Sequence, residues 1–153
     1  EFRRVLFRSA NTQHFSTGLS TLDRSRLQSE ELKNQSATIV SEVVPAITVN
    51  GCVASLPLHS DRGPDVICID TEGLDFQIVY SLDFEKLCPS IIRFEHNLCD
   101  TISKSNYLEY SALVTWLNAH GYQVFTEHND AVAVSWAMIP LITRSYETTN
   151  QRT

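Results

Sequence analysis

Methionine is almost missing from this chain: of 153 residues only Met138 is one, and position 1 is Glu. Glycine and proline are sparse at five each, and 42% of residues are apolar, which excludes collagen-like, low-complexity and wholly disordered chains. The four cysteines at 52, 68, 88 and 99 form no Cys-x-x-Cys pair, and no His pair stands at ligand spacing, so no zinc site is expected. A reducing, cytoplasmic setting is the default for such thiols. No apolar run approaches the roughly 18 residues that span a membrane. Basic residues are outnumbered, 12 against 18. Setting aside the first nine residues, EFRRVLFRS, leaves nine basic and seventeen acidic residues, without a Lys/Arg cluster. Such a surface repels phosphate backbones, so neither a nucleic-acid nor a membrane partner is expected.

Residues 1–9 mix three Arg with apolar residues too few for a signal peptide; the stretch resembles a linker or adaptor-derived scar and is expected to be a non-native leader. Residues 10–38 are a polar lead-in, in which Asp23 to Asn34 could form a short helix. IVSEVVPAITV, residues 39–49, is β-branched and broken by Pro45, which suggests an extended segment with an edge or kink. A loop through Gly51, Pro57, Gly63 and Pro64 is expected next. Val66 to Ile69 is continuously apolar between Asp65 and Asp70, and reads as a strand buried on both faces with a buried thiol at Cys68. A helix is expected from about Leu74 to Leu87, with a possible restart at Asp83, and Pro89 ends it. Ile91 to Phe94 reads as a second strand. Tyr107 to Ala119 carries Leu108, Leu113, Val114 and Leu117 at helical spacing before Gly121. Tyr122–Thr126 and Ala131–Trp136 read as a hairpin turning through Glu127, His128, Asn129 and Asp130. Residues 138–153 are expected to be a loose tail.

This order implies an α/β fold, an open and mostly parallel sheet ending in an antiparallel edge. In such sheets ligands bind beyond the carboxyl ends of the strands. Two polar clusters fall there: Asp70-Thr71-Glu72-Gly73, and Glu95-His96-Asn97. If the strands are neighbours, two carboxylates and an imidazole could face one pocket, to move a proton or hold a cation. Against that, Asp70 or Thr71 could simply cap the following helix. His14, His59, His120 and His128 read as loop, helix-end or turn residues, and Trp116 and Trp136 as core.

PDVICIDTEGLDFQIVYSLDFEKLCPSIIRFEHN, residues 64–97, resembles the FkbM-type methyltransferases: an apolar strand, Asp-x-Glu-Gly, a helix, a Pro, and a second strand ending in Glu and a polar residue. The likeness runs on through LVTWLNAHGYQVFTEHNDAVAV, and upstream through VVPAITVNGCVASL and LSTL at 19–22. It implies a Rossmann-like domain over residues 39–137 that transfers methyl from S-adenosylmethionine to a hydroxyl of a sugar, other glycan or small metabolite. Val66–Asp70 would be the fourth strand of that sheet and Ile91–Glu95 the fifth. By the same resemblance Asp70 stands beside the methyl donor or substrate, His96 is the base, and Glu72 and Glu95 orient groups in the pocket.

Two departures follow. Where the family has an acid lining the adenosine pocket, this chain has Asn50, which can hydrogen-bond but carries no charge. No G-x-G-x-x-G or similar loop occurs, so the amino-terminal strands of the sheet are expected to be missing, this piece to bind the cofactor poorly, and its unpaired sheet edge to self-associate. One rival is a metal-dependent exonuclease built on Asp-x-Glu, since IDTEGLD resembles its first motif; short motif spacing and the acidic surface weigh against it. Another is a non-catalytic Rossmann-like binding module.

Overall fold

The computed structural model describes residues 2–9, 20–22, 39–57, 63–71, 73–96 and 104–141. They form a mixed α/β arrangement with two sheets. In the first, β1 (Phe2–Ser9) lies between β2 (Ser20–Thr21) and β3 (Ile39–Ala46). The segment set aside as a leader thus pairs antiparallel with β3 from Phe2 opposite Ala46 to Ser9 opposite Ile39. β3 is an outer strand of this sheet, where Pro45, lacking an N–H, is tolerated.

β3 stops at Ala46, and the expected loop contains a short helix, α1 (Val49–Ser55). Thr48 starts it, its hydroxyl accepting from the Gly51 amide at 3.1 Å. The sequence hid this helix because Val, Asn, Gly and Cys are weak helix formers.

The second sheet contains β4 (Val66–Ile69), β5 (Ile91–Glu95), β6 (Tyr122–Glu127) and β7 (Asp130–Ser135), in the order β4-β5-β7-β6. Among the described strands only β4 and β5 are parallel to each other; β7 runs antiparallel to both β5 and β6, so one pairing in three is parallel rather than most. The hairpin turns at His128–Asn129, as the Asn/Asp cluster suggested, with His128 at φ 52, a region His adopts more readily than bulkier residues.

Between β4 and β5, α2 covers only Asp75–Tyr80 instead of extending to Leu87. The amide of Asp83, which a continuing helix would need, is instead bonded to Asn50 Oδ1 at 3.2 Å. Asp83 then begins a separate turn, its carbonyl accepting from the amides of Lys86 and Leu87. The last helix, α3 (Lys104–Ala119), presents Tyr110, Leu113 and Leu117 inward, whereas Leu108 is 67% exposed, off the face assigned to it. Gly121, at φ 86, follows it as expected.

α2 and α3 cover one face of this sheet, burying Ile67, Ile69, Ile92, Phe94, Ala131 and Ala133 against Val79, Leu113 and Leu117. The other face is more open. β4 therefore buries alternate residues only: Val66 is 52% exposed, and Cys68 is exposed rather than a buried thiol. Trp116 packs against the core beside Phe84 and Tyr80, but Trp136 is 55% exposed and not a core residue. Buried Tyr122 donates to the Pro89 carbonyl at 2.7 Å, and burial pushes its phenol up to about 12. Among the described residues no helix is long and apolar enough to cross a membrane.

Candidate functional site

The parallel register sets Ile69 beside Phe94, so the chain leaves β4 at Asp70 next to where β5 ends in Glu95. Asp70 of the first polar cluster and Glu95 of the second are therefore neighbours at one edge of the sheet. Asp70 is exposed and Glu95 half-buried. Glu95 is opposite Asp130, and Asp130 opposite Glu127, which continues an acidic row across the strands. Arg93, in the row behind, forms an ion pair with Asp130.

Strand alternation separates the members of the second cluster. Glu95 falls on the open face, while His96 follows Ile92 and Phe94 onto the helix-covered face. There it is 3% exposed, its ring 5.0 Å from that of Tyr110. Its amide donates to the Asn129 carbonyl at 2.8 Å, fastening the hairpin turn to the end of β5. Burial pulls the imidazole below its ordinary value, opposed by a hydrogen bond to the backbone of Asp130 and by that residue's carboxylate. Beside it, Tyr110 and Thr126 share a hydrogen bond between their hydroxyls at 2.8 Å.

Asn50 does not join this group. Its amide nitrogen donates to the Ser81 carbonyl at 2.8 Å and its oxygen accepts from Asp83, so both ends of the side chain hold α1 to the segment after α2. Glu72 and Asn97 lie outside the described residues, as do His14, His59 and Cys99. His120 closes α3, its Nδ1 2.8 Å from the Trp116 carbonyl.

One residue of the edge was not anticipated. Asp75, in the first turn of α2, is 4% exposed and accepts hydrogen bonds from Thr71 and Gly73. In sequence it looks like an ordinary acid at a helix start, and only the hydroxyl four residues earlier hinted at more. A groove of about 740 Å³ opens elsewhere, lined by Ala46, Ile47, Val49, Leu74 and Ile78, and none of the expected site residues among the described ones lines it.

No protein-family model, curated protein or solved structure matches this chain.

Proposed function

We propose that these strands are the latter half of a Rossmann-like methyltransferase sheet of the FkbM type, and that the joined ends of β4 and β5 hold an acceptor hydroxyl of a sugar or small metabolite. The reading is carried by one observation: two parallel strands end side by side in Asp70 and Glu95, after which a helix and an antiparallel hairpin complete the sheet. That is the order of elements the resemblance implies. A cytoplasmic setting belongs to the same proposal, consistent with free thiols at Cys52, Cys68 and Cys88.

The chemistry asks the protein to orient a hydroxyl and to take its proton as the oxygen attacks. Asp70 and Glu95 can accept hydrogen bonds from the acceptor's hydroxyls. His96, the base the resemblance implies, is turned to the helix-covered face, opposite Glu95, and buried beside Tyr110, so the proton is left to the carboxylates of Asp70 and Glu95. The residues present do not fit S-adenosylmethionine itself. Asn50 is committed to Ser81 and Asp83, and the chain has no Gly-rich turn to cradle the donor, so no step is assigned to a bound cofactor.

Calorimetric titration of S-adenosylhomocysteine and of Mn²⁺ into protein carrying the complete sheet tests the proposal. Nucleoside binding that Asp70→Asn weakens by about tenfold, or about 1.4 kcal/mol, is the expected result. Mn²⁺ binding dependent on Asp70 and Glu72, without nucleoside binding, would assign the edge to metal-dependent hydrolysis. Binding of neither would leave a non-catalytic module.

A further inference from the structure

Asp75 is a buried carboxylate that the proposed chemistry does not use. Its Oδ2 accepts from the Thr71 hydroxyl at 2.9 Å and, less closely, from the Gly73 amide at 3.3 Å. Its Oδ1 faces the Glu95 amide at 3.4 Å, across 20 residues of sequence. The three donors belong to two segments, the loop that follows β4 and the last residue of β5. Removing a carboxylate from water is costly unless several donors compensate it. An exposed acid would serve the start of α2 equally well, so helix capping does not account for the burial. Gly73 adopts φ 119, which L side chains rarely reach, and this lets the loop turn its amide back toward the carboxylate.

We infer that Asp75 is the positioning residue of this edge: one carboxylate ties the loop carrying Asp70 and Thr71 to the end of β5, and so fixes the spacing of Asp70 and Glu95. The inference rests on the carboxyl edge being the functional one. Strand pairing ends at Ile69 and Phe94, and beyond that point Asp75 joins the two chain segments. Asn at this position would offer one carbonyl oxygen to three donors and add an amide group that needs acceptors of its own.

The test is amide hydrogen exchange and NMR of the present chain carrying Asp75→Asn. Exchange at Gly73 and Glu95 is expected to quicken by about tenfold or more, while amides inside the β6–β7 hairpin keep their rates. The imidazole proton resonances of His96, set by the neighbouring Tyr110 ring, should move toward random-coil positions. Uniformly faster exchange with unmoved His96 resonances would overturn the assignment, because a general loss of stability predicts that pattern. Should Asp75→Asn fail to fold, Thr71→Val removes only the hydroxyl donor. Faster exchange confined to Gly73 and Glu95 then supports the tie, and unchanged rates sink it. None of these readouts needs a cofactor or acceptor, so the result stands apart from the outcome of the nucleoside titration.

Discussion

Burial of the His96 imidazole under Tyr110 lowers its pKa from the usual 6.5, and the Asp130 carboxylate and backbone offset this only in part. The sign of the consequence follows from which state holds the proton. The unfolded chain takes it up near pH 6.5, the folded chain only at lower pH. Stability from this group is therefore complete above that value and falls as the pH drops toward the folded pKa. Below the folded pKa it changes no further. Urea midpoints measured between pH 7.5 and 5 should fall for the parent, and His96→Gln should flatten that part of the profile. Matching profiles for the two proteins would show that His96 does not carry it. Asp130, whose carboxylate acts on the imidazole, and the neighbouring Glu95 and Tyr110 remain titratable in the variant, and only the coupling of Asp130 to the imidazole is lost with His96. At this scale the sequence was informative about which residues reach the edge, because strand ends announce themselves by a polar residue after an apolar run. It was silent about facing: a period of two puts Glu95 and His96 on opposite faces. Nor could it show that Asn50 spends both ends of its amide on Ser81 and Asp83, since those bonds depend on where α1 packs.

Helix α3 shows how far a periodic pattern carries. Leu113, Leu117 and Tyr110 line its inner face, and both leucines are fully buried. Leu108 stands five and nine residues before Leu113 and Leu117, which turns it about 140° and about 180° around the helix from them, and it is 67% exposed on the outer side although Tyr110, two residues on, is buried. Leu117→Ala is expected to cost about 2–5 kcal/mol, through lost transfer energy and the cavity left behind. Leu108→Ala should stay within about 0.5 kcal/mol of the parent. Chemical denaturation of the two variants decides between these assignments, and equal losses would refute the placement of Leu108. The elements that sequence patterning found most fully were β5, α3 and the β6–β7 hairpin, whose periodicity and turn residues agree. Those it misjudged were governed by contacts distant in the chain. α2 is cut short by a hydrogen bond from Asp83 to Asn50, 33 residues away. β4 is apolar throughout, which the pattern read as burial on both faces, but it is an outer strand with one face open.

For the molecule as a whole, the outer position of β4 matters most. β5 pairs with one of its edges, and no described strand pairs with the other. Val66 and Cys68 also expose their side chains there, so the strand offers backbone groups and some apolar surface to a second copy. A twofold antiparallel pairing of β4 with itself would set Val66 against Ile69, and Asp65 against Asp70 of the other copy. The acids that bound the strand would then repel each other at both ends of a short interface. Self-association through this edge should accordingly be weak at low ionic strength. It should strengthen as salt shortens the screening length from about 30 Å at 0.01 M to about 8 Å at 0.15 M. Light scattering at tens of micromolar protein across that range measures it. Asp65→Lys replaces each repulsive pair with an attractive one, and should produce dimer already at low salt. Val66→Lys places a charge on the exposed face of the strand and should suppress dimer at every salt concentration. A parent that stays monomeric throughout, with Asp65→Lys no different from it, would show that β4 does not pair in this way. Salt-strengthened dimer in the Val66→Lys variant would move the contact to another surface.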